Sequence, residues 1–124
     1  MAFNLRERAL GFRHAVSGIL LVIRTQHNTW IHLVATLAVV IAGKLLNVSR
    51  GEWLALVISI GLVWTAETLN TAIEFLADAV SLERRDLLGH AKDAGAGAVL
   101  LAAITAAIIG LIVFVPHLLA LAER

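Results

Sequence analysis

Apolar and polar positions divide the chain into four blocks. In the first block, residues 5–24, apolar side chains recur every three or four positions, while Arg6, Arg13 and Arg24 lie mostly off that stripe. This period is typical of an α-helix with one apolar face. The block therefore predicts an amphipathic helix that lies in the interface of a membrane.

The other three blocks, residues 31–48, 53–80 and 94–115, are long and predominantly apolar, and the last of them carries no charge. A bilayer span needs about 17–25 predominantly apolar residues, so each block is long enough to cross. Pro116 follows the last block and is expected to stop or kink its helix. We predict an all-α membrane protein in which one domain, residues 1–124, combines a surface helix with three transmembrane helices.

Composition excludes several other classes of protein. The hydrophobic content of 60% exceeds the roughly 45–50% of soluble domains, and a soluble four-helix bundle would expose far more apolar surface than a monomer tolerates. Ten Lys and Arg against nine Asp and Glu leave a net charge of +1, which argues against nucleic-acid binding. Because the chain has no cysteine, it forms no disulfide and no cysteine-ligated metal site.

Positive charge is distributed unevenly between the two sides of such a protein. The segment before the first span and the segment 82–93 together hold seven Lys or Arg residues, whereas the opposite side has three, namely Lys44 near the end of the first span, Arg50 after it and Arg124 at the C-terminus. Cytoplasmic segments of membrane proteins are enriched in Lys and Arg. We therefore predict a cytoplasmic N-terminus and a C-terminus outside.

Four polar residues lie on one face of the second predicted span. They are Glu67, Asn70, Glu74 and Asp78, spaced by three, four and four positions. At about 100° per residue, they fall within roughly 80° of one another. Carboxylates are costly at membrane depth, so they need either paired cations or a ligand-binding cleft. The stripe therefore indicates a functional site, or else an ion-pair network with the cations of segment 82–93.

Depth in the bilayer separates the roles of these carboxylates. At about 1.5 Å per residue from Trp53, Glu67 lies about 21 Å inside a hydrocarbon core of about 30 Å, whereas Glu74 and Asp78 reach the cytoplasmic interface. A base among lipid chains suits a buried hydroxyl nucleophile. Oxygen ligands at the interface suit Mg²⁺ with substrate phosphates, and a nearby lysine suits a polyphosphate.

Other common catalytic motifs are missing from the sequence. It contains no Walker A loop, no protein-kinase glycine loop and no G-x-S-x-G elbow. The five histidines have no metal-ligand spacing, and we expect them to be interfacial or capping residues. They are His14, His27, His32, His90 and His117.

The polar stripe belongs to a longer and highly specific motif, E-x-x-N-T-A-I-E-x-x-x-D from Glu67 to Asp78, followed by A-K-D at residues 91–93. Over essentially its whole length the chain resembles the prokaryotic diacylglycerol kinase family, which includes the undecaprenol kinases. The resemblance implies a homotrimer in the bacterial inner membrane with active sites between subunits. It also implies Mg²⁺-dependent transfer of the γ-phosphoryl group of ATP to a lipid hydroxyl. The product would be phosphatidic acid from diacylglycerol, or undecaprenyl phosphate from undecaprenol.

The resemblance also implies roles for individual residues. Glu67 would be the catalytic base, Glu74 would ligate the metal that bridges ATP, and Asn70 and Asp78 would shape the site. A further set of residues would contact the nucleotide. That set is Arg13, His14, Glu74, Glu83, Arg84, Arg85, Lys92 and Asp93.

One position departs from the family pattern. Gln26 stands where the family usually has a glutamate that ligates metal. The amide oxygen of Gln26 can still coordinate Mg²⁺, but with one negative charge fewer. This departure leaves open an alternative in which the chain is a non-catalytic membrane assembly subunit with a structural polar network.

Overall fold

In the part of the chain that the structure describes, four helices are joined by short connections. The computed structural model describes residues 5–83 and 85–123, and within them the helices are α1 (Leu5–Thr25), α2 (Asn28–Leu45), α3 (Arg50–Val80) and α4 (Asp86–Ala122). These ranges contain no strand. The predicted all-α class is confirmed. The position of α1 on a membrane surface stays a prediction.

Helices α2, α3 and α4 are each long and apolar enough to cross a membrane. At about 1.5 Å per residue, α3 is about 46 Å long and α4 about 55 Å, compared with a hydrocarbon core of about 30 Å. Both helices therefore have room to extend from the apolar layer into water. The arrangement fits a multi-pass membrane protein with three spans.

The connection between α2 and α3 is a tight turn. Helix α2 ends at Leu45 rather than at the predicted residue 48, because Asn47 adopts a φ of 52°, a left-handed conformation that asparagine tolerates. The Ser49 side chain accepts a hydrogen bond from the Glu52 N–H, and the Glu52 carboxylate accepts one from the Ser49 N–H. This reciprocal capping box fixes the start of α3.

Helix α4 is longer at both ends than the sequence predicts. The segment 82–93 was expected to be a charged connection, but it is helical from Asp86 onward. The acidic side chain of Asp86 in the first turn suits the positive end of the helix dipole. At the other end, Pro116 does not stop the helix, which continues to Ala122. Proline interrupts few backbone hydrogen bonds, and membrane helices tolerate it when neighbouring groups satisfy the freed carbonyl.

Helices α3 and α4 pack against each other in opposite directions. His117 near the end of α4 lies 3.1 Å from Glu52 near the start of α3. At the other end of the pair, Lys92 lies 2.5 Å from Asp78. The α3–α4 pair makes most of the contacts between helices, and α2 packs beside it. The polar face of α3 therefore has α2 and α4 as its neighbours.

The buried core is small and lies toward the end of the molecule where α2 turns into α3. Val48, Leu56 and Val113 form its fully buried part. A Cβ on Gly43 would lie 2.8 Å from the ring of Trp53, so glycine allows that ring to pack directly on the α2 backbone. Many large apolar side chains remain exposed, as expected for helices that face lipid or further copies of the chain.

The charge asymmetry leads to a test of topology. A reporter that is active only outside the cytoplasm should be active when fused after Arg124 and inactive when inserted near Asp86. The reason is that Lys and Arg concentrate in the N-terminal segment and in segment 82–93. Fusions of both kinds would be compared in intact cells and after permeabilisation. Finding the two positions on the same side would contradict the three-span topology.

Candidate active site

The polar face of α3 changes from buried to exposed along the helix. Glu67 and Asn70 are buried, with 2% and 8% of their surfaces exposed, whereas Glu74 is half-buried and Asp78 is exposed. A carboxylate within the protein interior therefore stands about two turns from one that solvent reaches. The four residues separate into an inner part around Glu67 and an outer part around Glu74 and Asp78.

The inner part pairs Glu67 of α3 with His32 of α2. The distance from His32 Nε2 to Glu67 Oε2 is 3.5 Å, which is longer than a well-formed N–H···O hydrogen bond. The Nε2 atom of His32 is buried and has no hydrogen-bond partner among the described residues. The side chains of His32 and Glu67 therefore face each other between α2 and α3 without a direct hydrogen bond.

In the outer part, two amides hold the Glu74 carboxylate. The Gln26 Nε2 group donates a hydrogen bond of 3.2 Å to Oε2, and Asn70 Nδ2 donates one of 3.0 Å to Oε1. Gln26 lies in the short connection between α1 and α2, so its bond ties that connection to α3. The structure thus places position 26 beside Glu74, with Gln26 as a hydrogen-bond donor.

Gly95 of α4 makes room for the Asn70 side chain. A Cβ at residue 95 would lie 2.5 Å from Asn70 Oδ1, so a larger residue would displace the amide that orients Glu74. Asn70 Oδ1 is buried and has no hydrogen-bond partner in the part of the chain that the structure describes. The close approach of α4 therefore fixes the Asn70 side chain and leaves one buried acceptor atom beside Glu74.

The end of the α3–α4 pair where α3 connects to α4 forms a small cavity of about 180 Å³. Asp78, Glu83, Arg85 and Lys92 are among its lining residues. The Lys92–Asp78 ion pair is 41% and 49% exposed, and exposed pairs contribute only about 0–1 kcal/mol. An anionic ligand can therefore displace Asp78 from Lys92 at little cost. The Lys92–Asp78 pair is also one of the ion pairs in the network that the sequence indicates as the alternative to a functional site.

Four other predicted nucleotide contacts do not line this cavity, and half-buried Glu74 is one of them. Arg13 and His14 are exposed on α1, and Asp93 is exposed on α4. Arg84 lies outside the described residues. The structure therefore gathers only part of the predicted nucleotide-binding set around the cavity.

The residues around Glu74 fit a cation that arrives with its substrate. The described part of the chain contains no group of three or more His, Asp or Glu side chains that could hold a metal on its own. Proteins usually bind Mg²⁺ through one or two carboxylates together with substrate phosphates. The Glu74 carboxylate, with the unpartnered Oδ1 of Asn70 and the amide of Gln26 nearby, matches that donor chemistry.

Sequence reasoning missed the position of His32. It was expected to be an interfacial or capping residue, yet it lies beside Glu67. A signal was available, because an ionisable side chain near an apolar span is a functional hypothesis by default. What the sequence could not supply was the partner, since the pairing depends on how α2 is rotated against α3.

Comparisons with known proteins extend over most of the chain. Residues 13–114 match the family model described as prokaryotic diacylglycerol kinase. An undecaprenol kinase of Bacillus subtilis is 42% identical over 107 residues, which cover 86% of this chain and 87% of that protein.

Diacylglycerol kinases from two other bacteria are also similar. The protein from Synechocystis is 40% identical over 113 residues, which cover 90% of this chain and 65% of that protein. The protein from Escherichia coli is 39% identical over 84 residues, which cover 68% of this chain and 69% of that protein. With the match to the family model, these similarities show that the chain belongs to the prokaryotic diacylglycerol kinase family, a family of lipid kinases.

Proposed function

We propose that the protein transfers the γ-phosphoryl group of ATP, with Mg²⁺, to the hydroxyl group of a membrane lipid. The observation that carries the proposal is the polar face of α3. It combines a buried carboxylate, Glu67, with a solvent-reachable carboxylate, Glu74, about two turns away. A lipid hydroxyl can approach Glu67 from the membrane, and a nucleotide phosphate can approach Glu74 from the aqueous side.

Glu67 acts as the general base in this proposal. Its carboxylate accepts the proton of the lipid hydroxyl while the hydroxyl oxygen forms a bond to the γ-phosphorus of ATP. The bond between that phosphorus and the bridging oxygen breaks, and ADP leaves with the bond's electron pair. A positioned base contributes about 10²–10⁴-fold to such a transfer.

Glu74 would hold the Mg²⁺ ion, with Asn70 orienting its carboxylate and Gln26 offering an amide oxygen. When bound, the ion neutralises charge on the phosphate oxygens during transfer. The hydrogen bond from Gln26 to Glu74 keeps the carboxylate in place before the metal arrives. Because the site has one carboxylate and two amides, it depends on ATP phosphates to complete the coordination.

The cavity at the α3–α4 connection receives the ATP phosphates. Lys92 and Arg85 supply the positive charge, to which Arg84 adds its own, while Glu83 and Asp93 contact the sugar side of the nucleotide. Asp78 shapes the cavity through its bond to Lys92. Arg13 and His14 approach from α1, or from the α1 helix of an adjacent subunit.

The proposed assembly is a homotrimer in the bacterial inner membrane with the N-terminus in the cytoplasm. The family membership supports the trimer, and the uneven distribution of Lys and Arg supports the orientation. Exposed apolar side chains on all three long helices offer surfaces for subunit contacts as well as for lipid.

Undecaprenol is the proposed acceptor, and diacylglycerol is the second candidate. The undecaprenol kinase of Bacillus subtilis matches this chain across 87% of its length, whereas the two diacylglycerol kinases match across 65% and 69% of theirs. The diacylglycerol kinases keep the second acceptor in consideration, since their identity to this chain is almost as high.

An assay with both lipids tests the proposal. We expect the purified protein in mixed micelles to transfer label from [γ-³²P]ATP to undecaprenol faster than to diacylglycerol, in a reaction that EDTA stops. Thin-layer chromatography separates the two phospholipid products. Faster labelling of diacylglycerol would reverse the acceptor assignment. Labelling of neither lipid, by protein shown to be folded and inserted, would favour the non-catalytic assembly subunit.

A further inference from the structure

Gly95 of α4 is buried against the polar face of α3. A Cβ at residue 95 would lie 2.5 Å from Asn70 Oδ1 and 3.5 Å from Ile73 Cδ1, and both of these atoms belong to α3. Every residue except glycine carries a Cβ, so glycine is the residue that permits this close approach. The side chains of α3 therefore occupy the space that any other residue at position 95 would need.

The Asn70 side chain presents its two polar ends to different neighbours. Its Nδ2 group donates a hydrogen bond of 3.0 Å to Glu74 Oε1, whereas Oδ1 faces the α-carbon of Gly95. An oxygen can make a weak favourable contact with a Cα–H group, but an N–H group in the same place would find no acceptor there. Contact with Gly95 therefore favours the orientation in which the amide nitrogen faces Glu74.

A methyl group at residue 95 would move this amide rather than separate the helices. The atom that it would meet is at the far end of the Asn70 side chain, where a change of torsion angle costs less than moving two packed helices apart. Asn70 is 8% exposed, and Ile73 lies beside the same position, so the displaced amide has little room in which to keep its bond. The expected result is loss of the hydrogen bond to Glu74 while α3 and α4 stay packed.

The contact also lies between the two halves of the candidate site. Asn70 is one helical turn from Glu74 on α3, and Gly95 is one turn from Lys92 on α4. We propose that Gly95 is a positioning residue of the kinase site, which acts through Asn70 to aim the Glu74 carboxylate at the metal that accompanies ATP. The inference rests on the proposed lipid kinase function and adds a residue of α4 to the machinery around Glu74.

Gly95→Ala provides the first test, with Gly97→Ala as its matched control. We expect Gly95→Ala to raise the Mg²⁺ concentration for half-maximal rate about tenfold, as for loss of a hydrogen bond to a charged group, and to leave the KM for the lipid unchanged. Gly97→Ala makes the same change on the same helix, at a position where a Cβ would meet nothing within 4 Å, and should behave like the wild type. Equal Mg²⁺ dependence of the two variants would overturn the inference.

A double variant separates positioning of Asn70 from a general effect on helix packing. Asn70→Ala removes both the hydrogen bond to Glu74 and the atom that a Cβ at residue 95 would meet. Adding Gly95→Ala to it should therefore change the Mg²⁺ dependence no further, since the two substitutions act through one interaction. A further loss in the double variant would show that residue 95 acts by separating α3 from α4, and would overturn the inference.

The side-chain amide of Asn70 offers a readout that needs neither metal nor catalysis. Its NMR signals, identified by their loss in Asn70→Ala, should lose the downfield proton shift of a carboxylate-bound amide in Gly95→Ala and keep it in Gly97→Ala. An unchanged signal in Gly95→Ala would overturn the inference even if the wild-type protein phosphorylates lipid. A wild-type protein that phosphorylates no lipid would instead contradict the proposed function, whatever the Asn70 signal shows.

Discussion

Glu67→Gln is expected to lower the turnover of lipid phosphorylation by about 10²–10⁴-fold, the usual loss for a general base. Glutamine has nearly the size of glutamate but cannot accept the proton of the hydroxyl. Because the two side chains have nearly the same shape, the substitution should leave the packing of the helices around buried Glu67 intact. Initial rates at saturating ATP and lipid measure the effect.

Glu52→Gln is the matched control for this substitution. Glu52 lies on the same helix at its other end, and glutamine can take its place in the capping box with Ser49. Its activity should equal that of the wild type. Near-normal turnover of Glu67→Gln would show that Glu67 is not the general base. If Glu67→Gln fails to insert and assemble while Glu52→Gln does both, Glu67 has a structural role in an ion pair.

Glu74→Gln is expected to reduce activity by about 10²–10³-fold or more, comparable to losing one stabiliser of transition-state charge. With Gln26 already neutral, the variant leaves no carboxylate at either position beside the proposed metal. The measurement is a Mg²⁺ titration of the rate at saturating ATP. A variant with the wild-type rate and the wild-type Mg²⁺ dependence would contradict a metal role for Glu74.

Gln26→Glu tests the same site in the opposite direction. The substitution replaces the amide that donates a hydrogen bond of 3.2 Å to Glu74 Oε2 with a second carboxylate. The two carboxylates repel each other when no metal is bound, and both attract Mg²⁺ when it binds. We expect the Mg²⁺ concentration for half-maximal rate to fall about tenfold, equivalent to about 1.4 kcal/mol. Melting temperatures should become more dependent on Mg²⁺ than those of the wild type. An unchanged titration would mean that position 26 does not face the metal.

The helix boundaries show where sequence patterns are informative and where they are not. Hydrophobic periodicity located all four helices, because burial in a membrane or a bundle imposes the helical period on the sequence. It placed the end of α2 and the start of α4 incorrectly. Those boundaries depend on the left-handed conformation of Asn47 and on the first turns of α4, where Asp86, Lys92 and Asp93 interrupt the apolar pattern.

The sequence alone determined the helical class, three segments able to span a membrane, the shared face of Glu67, Asn70, Glu74 and Asp78, and the family resemblance. These properties depend on spacing within a single helix or on a contiguous motif, and the backbone geometry of a helix fixes them locally.

The tertiary structure decided which side chains meet between helices. It placed His32 beside Glu67, made Gln26 a donor to Glu74 and brought Gly95 against Asn70. Each of these contacts depends on the rotation and axial position of one helix relative to another. Many side chains across the packed interface set those two quantities together, so no periodicity within a single segment reveals them.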